Sequence, residues 1–401
     1  MQSPRISRLQ SALSDSSEPP SVLVDRFWAD ATATGTPLVE PHDDDTVLVT
    51  FLWRGDARRS RAWWGVDVPL TRIDGTDLWY GSTLLSPAIR TIYCITHDGQ
   101  ESPPPDTTGT GLSHIDTANP RRLRFPADPA DPADHEHWFS VLELPAAPAE
   151  PWTEPRPGVT PGRLTEVELP SAALGGLRPV VVYRPAGMPV AGLPVLVVFD
   201  GFVARHVLHI PTVLDNLIAA GRIPPIAAVF VSSFGDSRDD ELSPTGPIHD
   251  FVADELMPWA QSQLGAGLDP RANVIAGASR GGLVSAYLGL CRPDLFGAVI
   301  SQSGSFWWPS PDQGEPGWLI REVGRFPRSD VRFYLDVGIL ETLDSPGGGP
   351  NQLTVVRGMR DALVEHGYRV AYTEYAGSHD YLNWRRTFAD GLLNLASVLA
   401  R

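Results

Sequence analysis

The hydrophobic positions follow two different rhythms along the chain. Between about residues 21 and 145 the apolar runs are short and separated by turn-forming residues. TVLVTFLWRG (46–55), VDVPLTRI (66–73), LWYGSTLL (78–85) and TIYCITHDG (91–99) are such runs, with DGTD and SPAI between them. Short strands at this spacing predict a small antiparallel β-sandwich of the immunoglobulin-like type. Beyond about residue 163 the pattern changes. RPVVVYRPAG, PVLVVFDG (194–201) and IAAVFVSS (226–233) are continuous apolar strands, the signature of a sheet covered on both faces. ANVIAGAS, GAVISQSG (297–304), VRFYLDVG (331–338) and YRVAYTEYAG follow as strands. Stretches with helical spacing alternate with them: VLDNLIAAG, DFVADELMPWAQSQLG (250–265), GGLVSAYLGLC, LTVVRGMRDALVEHG and WRRTFADGLLNLASVLA. That alternation predicts a parallel α/β sheet.

A proline-rich stretch, AAPAEPWTEPRPGVTPG (146–162), separates the two patterns and reads as a linker. The first 20 residues are polar and read as a disordered terminus. PADPADPAD (126–134) reads as a surface run of turn residues. The expected organisation is therefore a terminus (1–20), a β-sandwich domain (21–145), a linker (146–162) and an α/β domain (163–401). A length of 401 residues fits two domains.

Composition narrows the function. No run of 18 apolar residues exists and the first residues lack a signal-peptide core, which predicts a cytoplasmic protein with no membrane partner. Two cysteines, Cys94 and Cys291, are assigned to different domains, so no disulfide framework is expected. No Cys/His spacing resembles a zinc site, His135 and His137 of DHEHW read as loop residues, and neither metal nor cofactor is expected. A net charge of −16 argues against nucleic acid as a partner. Lysine is absent, so any cationic site is built from permanently charged guanidinium groups.

The chemistry concentrates in VIAGASRGGLVSAYLGL (274–290). Gly277-Ala278-Ser279-Arg280-Gly281 matches G-x-S-x-G. The pentapeptide alone is a weak signal, but here a strand ends at it and a helix starts after it, the context of a nucleophile elbow. A serine hydroxyl needs a base to take its proton. In the order serine, acid, histidine, His379 in AGSHDYLNW follows the last strand and precedes the last helix, the place for that base. His366 reads as a helix-end residue. For the acid, Glu341 after VRFYLDVG is favoured, Asp344 is next, and Asp336 within the strand is expected to face the wrong side. Asp380 is expected to fix the loop. The oxyanion donors are expected to be the Arg280 amide and an amide of Gly201 or Phe202.

These stretches carry a family resemblance. GASRGGLVSAYLGL with FGAVISQSGSFWW, LVVFDG, SRDDELSP and GSHDYLNWR resembles the enterochelin (enterobactin) esterases among the esterase D-like α/β-hydrolases, and TFLWRG, GTDLWYGSTLL and DTANPRRLRFP resemble that family's N-terminal domain. The resemblance implies an α/β-hydrolase that opens the serine trilactone of a catecholate siderophore, apo or ferric, in the cytoplasm. It implies Ser279 as nucleophile, His379 as base, Glu341 as acid, and Arg238, Trp307 and Trp308 as substrate contacts. Arg280 and Arg205 are further candidates for an anionic, aromatic ligand. Two alternatives stand beside this: an esterase of another aromatic acyl ester or macrolactone, and a carbohydrate-binding protein that displays Trp53, Trp63, Trp64 and Trp79 beside a degenerate hydrolase domain. Oligomeric state is not legible.

Overall fold

The computed structural model describes residues 2–99, 105–109, 111–233 and 235–399. The chain divides into two units. One comprises Met1–Ala127, His135–Ala149 and the short segment Ala376–Asp380; the other comprises Asp128–Asp134, Glu150–Tyr375 and Tyr381–Arg401.

The first unit begins with order where disorder is expected. Helices span Pro4–Asp15 and Pro20–Thr34. Ser3 caps the first by accepting from the amides of Arg5 and Ile6, a contribution of about 1 kcal/mol. Ile6 and Leu9, three residues apart, share one helix face, and they pack with Leu23, Val24, Leu52 and Leu78. So few apolar residues at the right spacing suffice because the sheet behind them supplies the rest.

That sheet contains β1 (Leu38–Pro41), β2 (Val47–Arg54), β3 (Ser60–Trp64), β4 (Val68–Arg72), β5 (Leu78–Leu85), β6 (Arg90–His97), β7 (Ser113–His114), β8 (Arg122–Phe125) and β9 (His137–Glu143). The four strands read from the sequence are β2, β4, β5 and β6. Pairing runs β1-β2-β5-β4-β3-β6-β9-β8, with β7 on β6, and every pair is antiparallel. The layers expected of a sandwich are thus continuous, one curled sheet. The four tryptophans do not form an open platform. Trp79 is buried and its indole donates to the Gly55 carbonyl at 3.1 Å. Trp53 packs on His97 with centroids 4.0 Å apart, and Arg61 lies 4.1 Å over Trp63.

The second unit holds β10 (Arg163–Ser171), β11 (Gly176–Arg184), β12 (Val195–Val198), β13 (Ala227–Val231), β14 (Val274–Ala278), β15 (Ala298–Gln302), β16 (Arg332–Gly338) and β17 (Arg369–Tyr375). Their order is β10-β11-β13-β12-β14-β15-β16-β17, antiparallel at β10–β11 and β11–β13 and parallel elsewhere. Alternate residues feed two cores. Val195, Val197 and Ile275 enter one; Leu196, Val198, Val274 and Ala276 enter the other. A two-residue period with both faces buried explains the unbroken apolar runs.

The proline-rich stretch is not a free linker. The Asn216 side-chain amide donates to the carbonyls of Trp152 and Glu154 at 2.8 and 2.9 Å. Arg385 and Glu150 form a largely buried ion pair at 2.5 Å. Prolines supply stiffness, and side chains of the second unit fasten the segment to it.

Candidate active site

The elbow forms where β14 ends. Ser279 has φ 55° and ψ −120°, a conformation few non-glycine residues adopt, and the helix Arg280–Cys291 begins directly after it. The neighbouring glycines are required sterically. A Cβ on Gly277 would lie 2.5 Å from the Gly281 carbonyl carbon, and one on Gly282 would lie 2.8 Å from Ser301 Oγ. The Ser279 amide donates to the Gln302 carbonyl at 2.9 Å, which ties the turn to the end of β15. Its half-buried hydroxyl sits 3.1 Å from Ser305 Oγ, a neighbour the sequence reading missed.

The residues expected to provide the oxyanion amides lie at two helix starts. Arg280 is the first residue of the elbow helix. Gly201 and Phe202 open the helix Gly201–His206 beyond β12. First-turn amides of a helix have no partner within it. Asp200, in the left-handed region at φ 53°, makes the turn into that helix.

Arg238 is engaged elsewhere than expected. Its Nε and Nη2 each lie 2.7 Å from an Asp200 carboxylate oxygen, and Nη1 pairs with Asp239 at 3.1 Å. Burial works against its charge, but Asp200 more than offsets this and raises its pKa. Such a bidentate pair fixes geometry. Arg205 donates from Nε to the Gly201 carbonyl at 3.1 Å and lies 5.8 Å over Phe202.

Arg280 contrasts with both. Its side chain is about 10% exposed and stacks 5.0 Å over Trp307, while Asp239 approaches Nε only to 3.9 Å. Among the described residues its buried Nε and Nη1 have no hydrogen-bond partner. Burial lowers its pKa; Asp239 opposes this and Arg238 adds to it. Trp307 is itself buried. Trp308 turns away and packs edge-on against Trp318 at 5.8 Å.

Glu341 follows β16 and is buried. Its Oε1 accepts from Ser303 Oγ at 2.6 Å, the Gly338 amide at 2.7 Å and Tyr375 OH at 3.1 Å. Ser303, at φ 43°, also accepts from Trp384 Nε1 at 3.1 Å. This hub was not legible: a serine in SQSG carries no signal until β15, β16 and β17 are neighbours. Asp344 is exposed and outside the hub. Asp336 is fully buried within β16. Burial pushes its pKa up to about 7, with Thr387 opposing and Glu341 adding to the rise.

A carboxyl whose folded pKa is raised binds its proton more tightly when folded. Stability therefore falls as pH rises from about 4, the unfolded value, to about 7. Asp336→Asn should flatten that decline and raise Tm relative to the parent at pH 8, measured by calorimetry from pH 4 to 8. An unchanged slope would refute the assignment.

His379 lies four residues beyond the end of β17, in the segment counted with the N-terminal unit. Its backbone carbonyl accepts from Trp64 Nε1 at 3.3 Å. His366 accordingly ends a helix, with Nδ1 2.7 Å from the Ala362 carbonyl.

Comparison with known proteins decides the family. The Esterase family model matches residues 171–395, and the model for the N-terminal part of enterochelin esterase matches 48–153. An iron(III) enterobactin esterase of Dickeya dadantii is 30% identical, with 91% of each chain covered. The chain belongs to the enterochelin esterase family. This makes it a carboxylic ester hydrolase. An iron(III) salmochelin esterase of Escherichia coli is 29% identical, covering 91% of this chain and 92% of its own. A crystal structure of the enterobactin esterase of Shigella flexneri, in the presence of 2,3-dihydroxy-N-benzoyl-serine, matches with TM-score 0.70 and 25% identity over 94% of this chain and 99% of that one. The α/β-hydrolase expectation holds for the second unit, and the enterochelin esterase N-terminal region accounts for the first. No helix among the described residues is long and apolar enough to cross a membrane.

Proposed function

We propose that this chain cleaves the trilactone esters of a catecholate siderophore, apo or ferric, through a serine acyl-enzyme. Ser279 Oγ attacks the ester carbonyl while His379 takes its proton. Glu341 orients the imidazole and stabilises the imidazolium. The amides of Arg280 and of Gly201 or Phe202 hold the oxyanion. His379 then protonates the leaving serine alcohol, and water hydrolyses the acyl-enzyme by the same steps. Cleavage opens the chelating ring, and the reaction is assigned to the cytoplasm.

The observation that carries the substrate class is Arg280. A buried guanidinium with two nitrogens that lack a hydrogen-bond partner among the described residues, stacked on an indole one residue after the proposed nucleophile, suits an anionic catecholate with a flat aromatic face. A neutral aryl ester has no use for that charge, which weighs against a feruloyl-type substrate. Arg238, neutralised by Asp200, is assigned to holding the turn before Gly201 instead of reaching the ligand. Arg205, on the Gly201 carbonyl, supports the same turn, and Trp308 supports Trp318.

The test incubates the protein with apo and ferric trilactone and resolves products by mass. Linear and monomeric catecholoyl-serines are expected, and their absence with both forms would overturn the proposal. Arg280→Gln should lower kcat/KM for the ferric trilactone at least ~10-fold more than for p-nitrophenyl acetate, since a lost charge-assisted contact is worth about 1.5–3 kcal/mol. Equal losses on both would remove Arg280 from substrate binding.

A further inference from the structure

The segment Ala376–Asp380 carries His379, and three of its polar contacts run to residues of the N-terminal sheet within the same unit. The Arg90 amide donates to the Ala376 carbonyl at 3.3 Å. Trp64 Nε1 donates to the His379 carbonyl at 3.3 Å. Thr91 Oγ1 donates to Asp380 Oδ2 at 2.5 Å, and both side chains are fully buried. Three donors therefore act on residues 376, 379 and 380, bracketing the histidine.

The local backbone is shaped around these contacts. Trp64 has φ 99°, outside the regions a bulky residue normally occupies. An outlier of this kind persists only where its surroundings over-determine it. Here the indole packs on Phe139 at 5.4 Å and reaches the His379 carbonyl. The next residue is Gly65, where a Cβ would fall 1.8 Å from Thr91 Oγ1. Its amide donates to the Ile92 carbonyl at 3.1 Å. The chain leaving β3 thus passes directly over the hydroxyl that holds Asp380, and only glycine permits that approach.

We propose that Trp64 and Thr91 are positioning residues for His379, setting the backbone of the general base from the N-terminal sheet. This rests on the reading of His379 as that base. Thr91 delivers a buried hydrogen bond to the residue after the histidine. Trp64 fixes the histidine's own peptide. Neither side chain needs to touch substrate. Displacing a catalytic group by about 1 Å can cost on the order of 100-fold in rate.

The effect should fall on the chemical step and be independent of substrate size. In the full-length protein, Thr91→Val and Trp64→Phe should each lower kcat about 10- to 100-fold on both p-nitrophenyl acetate and the catecholate trilactone. KM should stay within about twofold, and Thr91→Ser should restore most of the kcat. If Thr91→Val fails to fold by circular dichroism, Trp64→Phe, which keeps an aromatic side chain against Phe139 and removes the indole N–H, carries the test. Folded variants with parental kcat would overturn the proposal. So would a loss confined to the trilactone, because that marks a role in substrate choice. His379→Ala separates the two claims. If it keeps parental activity, the reading of His379 as base fails; if it is inactive while Thr91→Val and Trp64→Phe are unimpaired, only the positioning role fails.

Discussion

Ser279→Ala should reduce kcat by about 10⁶-fold, the scale seen when a triad serine is removed, and leave only the residual catalysis of the oxyanion donors and binding. The argument is geometric. Ser279 occupies a strained turn whose close contacts Gly277 and Gly282 make possible, and the elbow helix begins directly after it. Strain of this kind costs about 1–3 kcal/mol, and alanine, which carries the same Cβ, leaves it unchanged and should not lower stability. The variant is therefore expected to fold as well as the parent and to fail in chemistry alone. Ser305 offers the sharpest control. Its hydroxyl is 3.1 Å from Ser279 Oγ, but its side chain is buried. Ser305→Ala should keep far more activity than Ser279→Ala. Single-turnover product analysis by mass would decide it, and a Ser279→Ala enzyme within 100-fold of the parent would remove Ser279 as nucleophile.

Glu341→Gln should cost about 10⁴-fold in kcat, as amide replacement of a triad carboxylate does elsewhere. The surrounding donors dictate how the glutamine must sit. Oε1 accepts from Ser303, Gly338 and Tyr375, so the glutamine carbonyl oxygen has to take that place. Its NH₂ group then replaces Oε2. If Glu341 orients the imidazole as proposed, a donor then stands where an acceptor is needed, and the histidine is left in the wrong tautomer or orientation. Asp344→Asn is the comparison, since Asp344 is exposed and should be replaceable within about threefold. Steady-state kinetics on one activated ester decides between them. A Glu341→Gln enzyme with near-parental kcat, or an Asp344→Asn enzyme with a large loss, would reassign the acid.

How much of this was legible depended on whether the physics was local. The strands of the parallel sheet could be read because burial on both faces leaves an unbroken apolar run. The elbow could be read because a tight strand-to-helix turn constrains five consecutive residues. Glu341 could be narrowed to a loop by its place after β16. Ser303 could not be found, since its role exists only when β15, β16 and β17 lie side by side. The partners of Arg238 were hidden for the same reason: an arginine near the site reads as a free cation until Asp200 is seen holding its Nε and Nη2. The first helix was missed because Ile6 and Leu9 are few, and their counterparts lie far along the chain. The proline-rich stretch advertises a linker by composition, while Asn216 and Arg385 tether it by contacts that composition does not reveal.

Thr91 and Asp380, joined by one buried hydrogen bond, are 289 residues apart in sequence. A ribosome adding about 5–20 residues per second needs roughly 15–60 s to make the second after the first. The curled sheet emerges before the parallel one, yet its unit is completed by a pentapeptide made after the last strand of the parallel sheet. Nascent chains therefore pass through a long interval with Thr91 formed into its strand and its acceptor not yet synthesised. The elbow at Ser279 also precedes the proposed base, His379, by 100 residues of translation. Esterase activity should switch on only after residues 376–380 have been made and have joined the sheet that holds them.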